Sequence, residues 1–386
     1  MLSLFLQSAV DSIDCRGIII GNKIHKKNSM LEDTITIGRA TYQFIFAGFI
    51  FFVLANSVLA APQLRDKLVS ASEPQAITVM SYNVQQLGYA NWMANHFEKQ
   101  RLELIPEAIQ ALSIRPDVLV LQEVFTEHSF TFLVKQMSEV YPYHTQVVGE
   151  DCKDSRWNSV SGNCEASLIK GNSGLLIFSR WPIEQQHAYV FDSVRVSKSF
   201  DFLARKGVVY AKIQLQRNNL KDTIEPFSLH VFGTHLQASV AEHDIRLVQL
   251  DEMRRFIDGF EIPSDQAVIL AGDFNISSTD QPRFNDMLAH AAAKVTMPEV
   301  GVGSISDSTN GYRRLLAGAD SEVKPELTLD YVLFRSDHLQ PVINPKLQII
   351  ELKSKIPWRG VRWFKPDIEL TDLSDHYPTL MQFQFY

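Results

Sequence analysis

The chain has 386 residues, 45% hydrophobic and 10% aromatic, with 24 Phe. That composition excludes wholesale disorder and allows one large domain or two ordinary ones. A formal net charge of -7 argues against binding nucleic acid through a basic surface, although a bound cation could still bring a phosphodiester to an acidic enzyme.

Tyr42 to Ala61 reads YQFIFAGFIFFVLANSVLAA, an uncharged apolar run with Val58 and Ala60 at the small-residue places of a cleavage site before Ala61. This has the form of a secretory signal peptide and predicts a leader over 1–60 with a secreted or periplasmic product. The run is also long enough to span a bilayer as an uncleaved anchor. Met30 is an alternative start that leaves a leader of ordinary length. Residues 61–76 are a short polar lead-in. With no low-complexity linker after it, 77–386 reads as one domain. Cys152 and Cys164 bracket a polar stretch, KDSRWNSVSGN, which in an exported protein predicts a disulfide closing one loop; the alternative is two free thiols.

From Ile77 onward, apolar runs predict strands at 77–84, 117–124, 173–180, 207–215, 227–236, 267–274, 328–334 and 378–385. Several are apolar throughout, as in strands covered on both faces. Between them, Leu102, Ile105, Ile109 and Leu112 mark one stripe of a helix over 98–114. Ser239 to Glu242 has the form of a capping box for a helix running to about Phe260, and Asp280 with Pro282 starts another. Interleaved elements with some hairpin spacings predict an α/β (α+β) fold of mixed sheets flanked by helices.

Polar residues collect where these strands end. Asn83, Glu123, His235, Asp273 and Asn275 close strands, Asp330 lies in the seventh and Asp375-His376 precedes the last. Each alone reads as a turn former, cap or solvated charge. Together they interrupt apolar runs where unpaired polar groups are costly, and convergence on one site would satisfy them. An Asp followed directly by a His offers a cation ligand and a proton acceptor from one turn.

In order, Ser81-Tyr82-Asn83, Leu121-Gln122-Glu123-Val124, Gly233-Thr234-His235-Leu236, Gly272-Asp273-Phe274-Asn275, Leu329-Asp330-Tyr331 and Ser374-Asp375-His376-Tyr377-Pro378 resemble the motifs of the endonuclease/exonuclease/phosphatase superfamily. Tyr89-Ala90-Asn91-Trp92, Ser179-Arg180-Trp181-Pro182-Ile183 and Lys206-Gly207-Val208-Val209-Tyr210 are similar to bacterial neutral sphingomyelinases in particular. The resemblance implies a DNase I-like four-layer sandwich, two packed mixed sheets with helices outside. It further implies a phospholipase C-type hydrolase that releases phosphocholine from sphingomyelin.

By that likeness Glu123 is the main ligand of Mg²⁺, or of Mn²⁺ or Co²⁺ in its place, with Asn83 beside it and Asp375 completing an acidic floor. His376 is the general base and Asp330 its partner. Asp273 positions the water, and Asn275 and His235 donate to phosphoryl oxygens. Trp358, Trp363 and Phe364, interleaved with basic residues, suit a lipid interface, with a buried turn as the alternative. Tyr89 and Trp92 line a choline pocket or pack in the core. The expected partner is a membrane surface bearing sphingomyelin or phosphatidylcholine, with no obligate protein partner and no nucleic acid. The competing readings are a secreted DNase-like nuclease, a phospholipid or inositol phosphatase and, more remotely, a catalytically silent membrane-binding protein.

Overall fold

The computed structural model describes residues 75–88, 96–149, 152–165, 171–194, 200–218, 224–298, 301–318, 321–361 and 367–385. The expected leader lies outside these residues, as do Tyr89, Trp92, Trp363 and Phe364. In chain order the elements are β1 (Gln75–Gln86), α1 (Glu98–Leu102), α2 (Ile105–Gln110), β2 (Val118–Val124), α3 (Glu127–Met137), β3 (Tyr143–His144), β4 (Ser159–Gly162), β5 (Leu176–Ser179), β6 (Ile183–Val190), β7 (Gly207–Asn218) and β8 (Ile224–His235). There follow α4 (His243–Asp258), β9 (Ala267–Asp273), α5 (Gln281–His290), β10 (Ala293–Lys294), α6 (Gly311–Ala317), β11 (Asp330–Arg335), β12 (Gln348–Ile349), β13 (Lys353–Gly360), β14 (Ile368–Asp372) and β15 (Thr379–Phe385).

These strands build two mixed sheets, β12-β15-β1-β2-β5-β3 and β10-β11-β9-β8-β7-β6-β4, with β13 and β14 as a separate hairpin. Side-chain alternation explains the layering. Ile77, Val79, Val118, Val120, Ile177 and Phe383 of the first sheet join Leu229, Val231 and Ile269 of the second in one core. Their neighbours in sequence, Met80, Tyr82, Leu119, Leu121, Leu176 and Phe178, pack instead with Leu102, Ile105, Ile109, Leu133 and Met137 of α1 to α3. Each such burial is worth roughly 1.5–3 kcal/mol. Gly233 lets the sheets meet, since a methyl group there would lie 2.7 Å from Val120 Cγ1.

Two local expectations need correction. The helix expected over 98–114 is two helices, because Pro106 in the first turn of α2 has no N–H to continue the ladder. Ser239 forms no capping box; its φ is 77°, its carbonyl accepts from Arg246 Nη1 at 2.6 Å, and α4 begins only at His243. The polar strand β6 and the helix α3 were not expected as elements. Asp280 does cap α5, accepting from the Arg283 N–H, with a proline in the first turn. Cys152 and Cys164 form the expected disulfide.

Candidate active site

Register alone places three of the polar residues side by side. β8 pairs with β9 so that His235 stands opposite Asp273, and β11 pairs with β9 so that Asp330 stands opposite Asp273 on its other flank. Facing them, β1 and β2 bring up Asn83 and Glu123. Alternation would send Glu123 after Leu119 and Leu121 towards the helices. Its φ of 62° breaks that alternation, a left-handed conformation costing on the order of 1–3 kcal/mol in a non-glycine residue. Two hydrogen bonds hold the turn, Val124 N to Gly174 O at 3.0 Å and Phe125 N to Gln86 O at 3.2 Å. The result is that Asn83 Nδ2 donates both to Glu123 Oε1 (3.1 Å) and across the sheet interface to Asp273 Oδ2 (3.3 Å).

His376 closes the site from the loop before β15. Ser374 Oγ donates to Asn83 O at 2.6 Å and accepts from the His376 N–H at 3.3 Å, tying the loop to β1. Because a carboxylate only accepts, His376 Nδ1 carries the proton in its 2.8 Å bond to Asp330 Oδ2. Nε2 then points inward, 3.9 Å from Asp273 Oδ2. Burial alone would lower the imidazole pKa, but Asp330, Asp375 and Asp273 together raise it to about 10. Burial and the facing Asp375 push Glu123 up to about 7, and burial and Asp330 push Asp273 up as well.

Two expected donors are already engaged. His235 Nε2 accepts from Lys206 Nζ at 2.9 Å, and burial with that ammonium holds its pKa well below the usual value, so it is a neutral acceptor here. In this tautomer the proton sits on Nδ1, which is buried without a partner, so any donation from His235 comes from Nδ1 and not from Nε2. Asn275 Nδ2 donates to Leu236 O at 3.0 Å, while its N–H donates to Asp273 Oδ1 at 2.9 Å and fixes that carboxylate.

Sequence reasoning missed Lys206 as a site residue. It is 2% exposed, pairs with Asp201 Oδ1 at 2.8 Å and donates to Leu236 O at 2.9 Å. Nothing local marks it as buried. Only the pairing of β7 with β8 brings it to His235. Arg313 was missed too; its Nη1 lies 3.8 Å from Asp375 Oδ2.

A divalent cation fits this donor set. Glu123, Asp273, Asp330 and Asp375 gather in one place, burial and the nearby charge of Asp375 raise the carboxyl pKa of Glu123, and Asp330 Oδ1 is buried without a partner. Hard oxygen donors in excess negative charge suit Mg²⁺. Among the described residues, the ligand atoms that cluster within 4.8 Å belong to Asp273, Asp330 and His376. Since Asp330 Oδ2 is taken by His376, Asp330 Oδ1 and the Asp273 carboxylate are the oxygens of that cluster left to a cation, beside Glu123.

Trp358 is not on the surface as expected. It is 3% exposed, packs 5.5 Å from Phe97 and 5.7 Å from Tyr312, and donates from Nε1 to Asp372 O at 2.8 Å. Strand alternation turns it inward with Gly360 and leaves Arg359 outside, while Ile356 is exposed where the ladder is irregular between Lys353 and Trp358. It anchors the base of the hairpin.

Two mixed sheets flanked by helices, with a carboxylate and imidazole site at the strand ends, define an enzyme of the DNase I-like class. Residues 80–339 match the Endonuclease/Exonuclease/phosphatase family, and the chain belongs to it. Among similar proteins, phospholipase C of Staphylococcus aureus is 30% identical over 339 residues, 84% of this chain and 93% of the relative. Sphingomyelinase C of Bacillus cereus is 29% identical over 323 residues, 80% and 89% of the two chains. The crystal structure of sphingomyelinase C from Streptomyces griseocarneus superposes with a TM-score of 0.64 at 26% identity, covering 80% of this chain and 99% of that one. A Staphylococcus aureus beta toxin variant with bound magnesium ions gives 0.66 at 27% identity, with the same coverage.

Proposed function

We propose that the protein is a secreted, Mg²⁺-dependent phospholipase C-type hydrolase that cleaves sphingomyelin to ceramide and phosphocholine. The observation that carries the reading is the buried His376–Asp330 pair, its free Nε2 directed at Asp273 and across the site from Glu123. Water held near Asp273 gives its proton to His376 Nε2 as its oxygen attacks phosphorus. The phosphorus–oxygen bond to ceramide breaks, and the imidazolium returns the proton to the departing alkoxide. Asp330 keeps Nδ1 protonated and the ring aimed, and it stabilises the imidazolium. A Mg²⁺-type ion held by Glu123 with Asp273 or Asp375 would supply Lewis-acid polarisation of the phosphoryl oxygens and stabilise the leaving alkoxide. Asp330, Asp375 and Asp273 raise the His376 pKa to about 10, and a cation held among those carboxylates would lower it towards the range of a general base.

The sphingomyelin assignment is supported by the names of the similar proteins and by a net charge of -7, which suits a lipid better than DNA. Secretion is supported by the apolar run at 42–61. The test incubates purified protein with vesicles of sphingomyelin or phosphatidylcholine, or with duplex DNA, in Mg²⁺ or EDTA. Phosphocholine release from sphingomyelin that stops in EDTA is expected. Nicked DNA with no phosphocholine from either lipid would overturn the reading.

A further inference from the structure

Arg101 in α1 is fully buried, yet no carboxylate pairs with its guanidinium at hydrogen-bond distance among the described residues. Its donors go to four backbone carbonyls. Nη1 donates to Val84 O at 3.1 Å and to Leu373 O at 2.8 Å, Nη2 to Gln85 O at 2.7 Å, and Nε to His96 O at 3.0 Å. The guanidinium carbon also sits 4.6 Å from the centre of the Tyr312 ring. Burying a charge in this way is expensive unless every donor is satisfied, so the choice of partners is informative.

Those partners are the two ends of the site. Val84 and Gln85 follow Asn83 on β1. Leu373 comes three residues before His376. Gln85 has a φ of 49° and is held from both sides, its N–H by Asn83 Oδ1 at 3.1 Å and its carbonyl by Arg101. Ser374 Oγ adds the second tie between the loop and β1. A planar fork can bridge two chain segments at fixed spacing, and a lysine ammonium, a point donor, cannot.

We propose that Arg101 is a positioning residue that sets the distance between the loop carrying His376 and the strand carrying Asn83, and through Asn83 the placement of Glu123 and Asp273. The inference rests on the hydrolytic reading above for its kinetic part, but its spectroscopic part does not. Arg101→Lys and Arg101→Gln are compared with wild type and with Leu133→Ala, a core variant in α3 chosen to lose a similar amount of thermal stability away from the site. Misplacing a base by about an ångström costs roughly 10²-fold in rate. On sphingomyelin vesicles, kcat is expected to fall about that far in Arg101→Gln with KM within about threefold, Arg101→Lys recovering little of it, and Leu133→Ala keeping wild-type kcat. In metal-free protein labelled with ¹⁵N-histidine, the His376 Nδ1–H signal, assigned with His376→Gln, should broaden or shift in both Arg101 variants and not in Leu133→Ala.

An unchanged His376 signal in Arg101→Gln overturns the proposal. So does an equal kcat loss in Leu133→Ala at matched stability. A wild-type protein that releases no phosphocholine would sink the substrate reading, while the metal-free spectra would still decide the role of Arg101.

Discussion

Asp330→Asn isolates the charge behind the base while keeping its shape. Asp330 is fully buried and contacts His376 Nδ1 at 2.8 Å, so the amide can occupy the same volume. A hydrogen bond to a charged group contributes about 1.5–3 kcal/mol, and at 1.36 kcal/mol per decade its loss costs about 10–10²-fold. The amide can also present its NH₂ to Nδ1, favouring the other tautomer and taking the proton acceptor away from Nε2. A reorientation of that kind extends the loss towards about 10⁴-fold. The expected result is a kcat on sphingomyelin at least about 10²-fold lower, with near-UV circular dichroism unchanged. The pH profile carries a sign as well. Asp330 helps raise the imidazole to a pKa of about 10, so without its charge the imidazolium is less stable and the acid limb of the remaining activity moves to lower pH. In the metal-free protein, His376 bears a folded-state pKa above its unfolded value of about 6.5. Its stabilisation is therefore present below pH 6.5 and lost as pH rises through about 10, and Asp330→Asn should flatten that decline. A variant with kcat within about threefold of wild type, or an acid limb displaced to higher pH, would refute the reasoning.

Glu123→Gln should separate cation binding from folding. Wild-type protein at a Mg²⁺ concentration of a hundred dissociation constants should gain about 2.7 kcal/mol, read as a thermal shift that the variant loses. With no metal, Glu123 has a folded pKa raised to about 7, so its ionised form costs stability as pH rises above about 4.5. The variant should then be the more stable protein at pH 8, by about 1–3 kcal/mol, and the difference should vanish below pH 4.5 on chemical denaturation. Trp358→Ala should cost about 3–5 kcal/mol as a buried aromatic truncation and leave the ratio of bilayer to soluble-substrate activity unchanged. Trp363→Ala, by the lipid-surface expectation, should lower activity on bilayers much more than on a short-chain soluble substrate; equal losses on both would end that idea. Midway along β8, burial holds His230 down to about 4, between Tyr210 OH at 2.7 Å and Gln266 Oε1 at 2.6 Å. Its folded pKa is depressed, so wild-type stability should fall as pH drops from 6.5 towards 4, by up to about 3 kcal/mol. His230→Gln should reduce that slope in pH-dependent thermal melts.

Much of the fold is legible from period and composition. The eight expected strands all lie within or overlap observed ones, because runs such as β9 and β11 are buried on both faces and others, such as β15, alternate with the strand period. β6 escaped notice because IEQQHAYV is half polar and only its pairing with β7 makes it a strand. Trp358 was misplaced for a similar reason. Aromatic and basic residues alternate along 357–366 equally well in a lipid-facing loop and in a strand, and only the strand's phase decides which ring faces Phe97 and Tyr312.

The amino-acid sequence by itself determined which residue types stand at the strand ends, and the ordered motifs that they form carried the family. Chemistry of that kind depends on side-chain identity, which sequence states directly. The tertiary structure alone decided that Glu123 turns inward through a left-handed backbone, that Lys206 occupies His235 Nε2, and that Arg101 joins the base-bearing loop to β1. These depend on register and on contacts across as many as 272 residues of chain. No local pattern encodes such contacts, because they come from how the sheets pack.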